Sequence, residues 1–305
     1  MQLRRLAWLS LPVMGLAELG AHLHFAAAAP TAAEWRDLVP AVERLRKPAD
    51  LLIVAPAWAE PLARNVFGED WMPLTDLARA EETGYEHALE VSLLGQRSPV
   101  LVGWSELSTE GVGRFTLRRL ENPKYKPSLY SFNDHVRQNQ LFVVEWNGEA
   151  ERTCEYTAQG LSSAGGLGGH PAYPRERFCC SGGVDYFVGV TVIDDSSYRP
   201  RRCLFAHPLV NALLHLRFPA VPAGRKLHGW GGRGFLRARD GAGTPVEFAA
   251  YVDGKEVGRR LFNDDQGFSE FEFPMPPSAG PVEVTFEVQT RVAQNRDFCF
   301  QAEVR

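Results

Sequence analysis

The sequence predicts an α+β protein: an N-terminal export or membrane helix, a small α/β segment, then an antiparallel β-sandwich of jelly-roll type. Three observations carry this reading. A charged, then apolar, then small-residue stretch opens the chain. Helical spacing alternates with a short buried-strand run up to about Pro123. From Leu129 onward helical periodicity gives way to successive alternating strands separated by turn signals. The corresponding boundaries are 1–29, 30–125 and 126–305.

Arg4 and Arg5 precede an apolar run from Leu6 to Ala17, followed by Ala26-Ala-Ala-Ala-Pro30. A positive start, an apolar stretch and small residues at an A-x-A site make a secretory signal, cleaved after Ala28. The same stretch also reads as a single-pass anchor. Leu6 to Ala29 is 24 residues, enough to cross a ~30 Å core. Glu18 at its midpoint costs ~2.5–3.5 kcal/mol on insertion scales, about what the apolar residues return. In an anchor, Glu18 would face a partner helix rather than lipid. Either reading exports the rest of the chain, to the periplasm or cell envelope. A third reading is a plain cytosolic helix.

Thr31 with Glu34 reads as a capping box, and Trp35, Leu38, Val42 and Leu45 share a helical face. Leu51-Leu-Ile-Val-Ala55 reads as a buried strand, and Glu60 to Phe67 as a helix with Pro61 in its first turn and Gly68 at its end. Leu89–Leu94 and Arg114–Leu120 read as further strands. Beyond Leu129, Tyr186–Ile193, Leu213–Phe218, Val246–Val252, Lys255–Phe262, Phe271–Phe273, Val282–Val288 and Phe298–Val304 all alternate. Asp253-Gly254 between two of them predicts a type I′ hairpin. Gly160–Tyr173 reads as a long loop.

The 305 residues carry Lys+Arg 33 against Asp+Glu 37, a formal charge of −4. That balance, with no basic run, excludes the electrostatic footprint of a nucleic-acid binder. The five cysteines fit an oxidising compartment. The pairing read from the sequence is Cys154–Cys180 and Cys203–Cys299, with Cys179 left over. Zinc held by Cys179, Cys180, Cys203 and His207, or free buried thiols, are the alternatives; two adjacent cysteines rarely serve one zinc ion.

Catalytic motifs fail. Gly229-Trp-Gly-Gly-Arg-Gly234 matches G-x-G-x-x-G letter for letter, but no helix pattern follows it, as a dinucleotide site requires. It reads instead as a glycine loop beside an exposed Trp230. The acidic pairs Asp194-Asp195 and Asp264-Asp265 read as turn formers, as calcium or sugar-hydroxyl ligands, or as paired acids flanking a glycosidic bond. Aromatic side chains at sandwich loops, Trp230 and Tyr198 foremost, suit the apolar face of a sugar ring. Trp230, Tyr198, Asp194, Asp195, Asp264 and Asp265 are therefore the candidate ligand residues. No cofactor is expected, calcium being the one cation these acids would take.

The strand–Asp253-Gly254–strand hairpin, Phe268-Ser-Glu-Phe271 and the Val282–Phe286 strand make residues 130–305 resemble galactose-binding-like jelly rolls, the fold of many carbohydrate-binding modules. Ala49-Asp-Leu-Leu-Ile-Val-Ala-Pro56, shortly after an apolar segment, resembles the extracytoplasmic tail of polyprenol-linked sugar transferases. Their catalytic loops have no counterpart here. The two resemblances imply a sugar context: a non-catalytic, envelope-facing protein that binds carbohydrate or an envelope partner. The alternatives are an accessory subunit of a membrane glycosyltransferase, assembled through the N-terminal helix and Glu18, and a glycan hydrolase.

Overall fold

The computed structural model describes residues 11–23, 29–72, 77–79, 81–160, 173–209, 211–235, 239, 244–263, 267–293 and 296–305. Residues 161–172 of the expected loop, and residues 1–10 and 24–28 of the N-terminal stretch, fall outside them. Residues 11–23 are helical, and no described helix is long and apolar enough to cross a membrane. The chain divides into two compact units: Met1–Pro73 with His87–Pro123, and Leu74–Glu86 with Lys124–Arg305.

The first unit is a four-stranded sheet with helices. Its strands are β1 (Leu51–Ala55), β2 (His87–Leu93), β3 (Ser105–Val112) and β4 (Phe115–Glu121). Their order is β1-β2-β4-β3, with β1 parallel to β2 and the rest antiparallel. The Thr31 capping box forms as the sequence predicts, with Glu34 N–H donating to the Thr31 hydroxyl at 3.3 Å. The expected single helix breaks at Leu38 into Ala32–Asp37 and Val39–Leu45, because Pro40 supplies no N–H. Gly68, at φ 72, breaks the next helix as expected. Trp35 packs against Phe115 at 4.7 Å and Phe67 at 6.0 Å. Strand β3 is exposed along most of its length, so no burial pattern marks it in the sequence.

The second unit is the sandwich. One sheet contains β8 (Glu155–Thr157), β9 (Arg177–Cys179), β10 (Phe187–Asp194), β11 (Pro200–Ala206), β13 (Lys226–Gly232), β16 (Ser269–Pro274) and β18 (Cys299–Val304), with β5 (Tyr130–Ser131) beside β18. The other contains β6 (Phe142–Trp146), β7 (Glu151–Thr153), β12 (Leu213–Val221), β14 (Val246–Val252), β15 (Lys255–Phe262) and β17 (Val282–Gln289). The last eight strands run β16-β13-β18-β11 in the first sheet and β15-β14-β17-β12 in the second. Counted from β11, that is first, eighth, third and sixth against second, seventh, fourth and fifth. This interleaving is the double Greek key of a jelly roll. The Asp253-Gly254 turn has φ 48 and 76, as a type I′ hairpin requires.

Phenylalanines from both inner faces fill the core. Phe248 lies 4.9 Å from Phe300, 5.1 Å from Phe271 and 5.4 Å from Phe286. Burying each such side chain contributes roughly 1.5–3 kcal/mol. The Gly229–Gly234 stretch is not the expected loop. Its first four residues lie inside β13, paired to β16 and β18. Gly229 and Gly231 turn inward, where a Cβ would stand 2.6 Å from Phe271 and 2.8 Å from Phe262 respectively. The glycines leave room for the aromatic core.

The disulfides are Cys154–Cys180 and Cys203–Cys299, with Cys179 free. The expected pairing holds, and the zinc alternative falls because two of its ligands are consumed. Cys154 sits where the chain passes from β7 to β8, that is, from one sheet to the other.

Candidate functional site

The turn between β10 and β11 is built on Asp195. Its Oδ1 accepts from the Ser197 N–H at 2.8 Å and the Arg199 N–H at 3.0 Å. Its Oδ2 accepts from Arg201 Nε at 2.8 Å and pairs with Arg201 Nη2 at 2.7 Å. Both side chains are buried. Asp195 is thus committed within the hairpin, in the turn-forming role the sequence allowed. It holds Tyr198 at φ 58 and leaves that ring 68% exposed.

The Tyr198 ring stands 4.2 Å from Phe235, tilted by 41°, and the Arg239 guanidinium lies 5.8 Å over the Phe235 ring. Two further close approaches gather the loops at this end. A Cβ at Gly267 would lie 2.5 Å from the Ser196 hydroxyl, and one at Gly234 would lie 3.8 Å from the Asp194 carbonyl. The turn after β10, the loop after β13 and the loop before β16 therefore meet. Asp194 closes β10 opposite Pro200 and is half-buried. Asp264 and Asp265 lie outside the described residues.

Trp230 occupies the middle of β13, opposite Glu270 on one side and Gln301 on the other. It is half-buried, not fully exposed as its flanking glycines suggested. The reason is its place inside a sheet. Its indole Nε1 and the Gln301 Oε1 are both buried without a hydrogen-bond partner. A donor and an acceptor thus stand on directly opposed residues of one face.

Two residues earlier on that face lies a charge cluster. His228 is 3% exposed. Its Nδ1 is 3.1 Å from Glu303 Oε1 and its Nε2 is 2.9 Å from Glu270 Oε1. Glu81 stands 3.7 Å away. Arg305 pairs with Glu303 and, at 2.5 Å, with Glu81. Burial opposes the charged imidazole, but the bonds to Glu303 and Glu270 outweigh it, and the His228 pKa is raised. Burial likewise opposes the Glu303 charge, but His228 and Arg305 hold that carboxyl below its ordinary value. Glu81, His228 and Glu303 have the composition of a metal site. The Arg305 guanidinium, however, already occupies two of the three carboxylate or imidazole partners, so the cluster is a closed ion network.

Sequence reasoning passed over Phe235, Arg239 and Gln301. Alternation marks Gln301 as outward-facing but says nothing of what it faces. His228 reads from the sequence as a solvated or hydrogen-bonded histidine, and its burial comes from the residue 81 segment and the chain end, far apart in sequence.

The fold and site define a disulfide-linked jelly-roll sandwich with an aromatic-rich loop end, joined in one chain to an α/β unit. No protein-family model matches this chain, and no curated protein matches it. Part of it is similar to solved carbohydrate-binding modules. The second CBM51 module with INT domains from Clostridium perfringens ZmpB, in complex with GlcNAc, is 10% identical over 38% of this chain, at a TM-score of 0.29. The chain spans 25% of that structure's length. A CBM51 from Clostridium perfringens GH95, in complex with methyl-galactose, is 13% identical over 38% of this chain and 81% of its own, at 0.29. The C-terminal CBM6 of the laminarinase LamC from Zobellia galactanivorans is 8% identical over 38% of this chain and 88% of its own, at 0.26. The resemblance of residues 1–125 to a sugar-transferase tail finds no support in these comparisons.

Proposed function

We propose that the sandwich unit is a non-catalytic carbohydrate-binding module of an exported, envelope-facing protein. The observation that carries this reading is Tyr198. A buried ion pair and two backbone hydrogen bonds pin the turn that presents its ring to solvent beside Phe235. An aromatic face held in place beforehand stacks on the apolar C–H face of a sugar without an ordering cost. Trp230 with Gln301 supplies a donor and an acceptor for hydroxyls, and Asp194, with Asp264 and Asp265 as the sequence suggests, would supply carboxylates. The two disulfides fit an oxidising compartment.

The test is binding of the full chain to a glycan panel, with calcium and with chelator. Saturable binding that weakens about three- to tenfold in Tyr198→Ala, and again in Trp230→Ala, is the expected result. Tyr198→Ala should leave the melting temperature unchanged, since the ring is exposed. A folded chain that binds no glycan would overturn the reading and favour an envelope protein as the partner. Loss of binding on chelation would place calcium at the acidic loops.

A second reading, an accessory subunit of a membrane glycosyltransferase, has one observation in its favour. The helical residues 11–23 leave Leu11, Val13, Met14, Leu16, Leu19 and Leu23 exposed. Glu18→Leu should abolish complex formation without affecting export if that reading holds.

A further inference from the structure

A cavity of about 570 Å³ opens in the sandwich unit, away from the residues named above. Its walls come from Asn133 to Arg137, from Ala158, from Pro174 to Glu176, and from Val190 and Arg202 of β10 and β11. The volume is within the ~300–1,000 Å³ of small-molecule sites. Three guanidinium groups line the cavity. Arg202 is spoken for, paired with Asp134 at 2.7 Å. Arg175 uses its Nε on the Ala158 carbonyl at 3.1 Å, and its terminal nitrogens make no ion pair among the described residues. Arg137 makes no side-chain hydrogen bond or ion pair among the described residues, and both Arg137 and Arg175 are exposed.

Asn133 supplies the second observation. It is 3% exposed, and its Nδ2 donates to the Arg202 carbonyl at 3.4 Å. A carbonyl only accepts, so this bond fixes the amide's orientation and makes Oδ1 the free acceptor. That oxygen is buried and has no partner. A buried acceptor left unmade is costly, about 1–3 kcal/mol in general, so a donor from outside the chain is the natural complement.

We propose that this cavity binds the carboxylate-bearing ring of an acidic sugar, a hexuronate, with its carboxylate on Arg137 and Arg175 and a ring hydroxyl donating to Asn133 Oδ1. The lining selects this class over others. Two guanidinium groups without an ion pair among the described residues ask for an anion and form strong charge-assisted bonds with a carboxylate. Asn133 Oδ1 asks for an O–H donor, which a bare inorganic anion lacks. The apolar lining is small, limited to Val136, Ala158, Pro174 and Val190, which suits a ring bearing hydroxyls better than an apolar peptide side chain. The inference goes beyond the aromatic site and uses none of its residues.

The experiment is calorimetric titration of the full chain with oligogalacturonate and oligoglucuronate, with the neutral parent oligosaccharides, and with inorganic sulfate. The expected result is saturable uronate binding that weakens as salt rises and drops about tenfold or more in each of Arg137→Ala and Arg175→Ala. Both residues are exposed, so both variants should melt with the wild type. Asn133→Ala should weaken uronate binding further while leaving any sulfate binding unchanged. Three outcomes overturn the proposal: no uronate binding by folded protein, equal affinity for sulfate, or unchanged uronate affinity in both arginine variants. If Tyr198→Ala alone abolishes uronate binding, the acid sits on the aromatic end. This inference then fails while the carbohydrate reading stands.

Discussion

Replacing Gly229 by alanine tests the placement of the G-x-G-x-x-G stretch inside the sheet. Gly229 is paired on both sides, to Phe271 of β16 and to Ala302 of β18. A Cβ there would meet the Gln301 carbonyl and two atoms of the Phe271 ring, the ring atoms at 2.6 and 2.9 Å. Ordinary carbon contacts need ~3.5–4.0 Å, so the ring must retreat by roughly an ångström. Phe271 cannot swing freely, because Phe248 at 5.1 Å and Phe273 at 5.2 Å hold it. The Gln301 carbonyl is backbone, and moving it strains the β13–β18 ladder. Overpacking of this kind costs about 1–3 kcal/mol, and a disturbed ladder bond adds about 1 kcal/mol. The stiffer unfolded chain offsets ~0.4–1 kcal/mol. The net expectation is about 1–3.5 kcal/mol, or roughly 2–14 °C in melting temperature for a unit of this size. Denaturant titration of the full chain, following the sandwich transition, measures it. Gly280→Ala, in the same unit and with nothing within 4 Å of the added carbon, is the control. A Gly229→Ala variant within ~0.5 kcal/mol of wild type would show that the stretch is a loop after all, and the account of the aromatic core would be refuted.

Two further outcomes follow from the same structure. Cys203→Ser with Cys299→Ser opens a link spanning 96 residues of sequence, so the sandwich should lose up to ~4.7 kcal/mol by loop-closure entropy; reductant, which also opens Cys154–Cys180, should bring wild type to a lower midpoint than this variant. The His228 network should give the sandwich a pH optimum. The raised His228 value contributes stability in full below its ordinary 6.5, lost as pH rises through the folded value. The lowered Glu303 value contributes in full above its ordinary 4.5, lost as pH falls through the folded value. Melting temperature against pH should therefore peak between about 4.5 and 6.5, and His228→Gln should flatten its alkaline side. An alkaline limb unchanged in that variant would show that His228 is not the group responsible.

How much of this was legible beforehand depends on the range of the interaction. The hairpin at Asp253-Gly254 was legible because two adjacent residues must both accept positive φ, a local requirement. The alternation of Val282 to Val288 was legible for the same reason: side chains a residue apart point to opposite faces whatever the partner strand. The cysteine pairing was one choice among those five residues allow, because connectivity has no local signal. Asp195 was readable as a turn former, but not its partner Arg201.

The rest needed the third dimension. The letters of Gly229–Gly234 read as a glycine loop beside Trp230 and fit a core strand as well. What decided between them was the phenylalanine cluster from β14, β15 and β16, which leaves no room for a Cβ. The burial of His228 depends on residue 81 and residue 305, and the cavity at Asn133 depends on five separated stretches. Sequence by itself determined the two kinds of architecture, the strand patterns and the oxidising chemistry, because those follow from periodicity and residue type within a few positions. Tertiary structure decided the sheet order, the faces that Trp230 and Asn133 share with their neighbours, and which charged groups are left unpaired, because each is a meeting of residues tens to hundreds of positions apart.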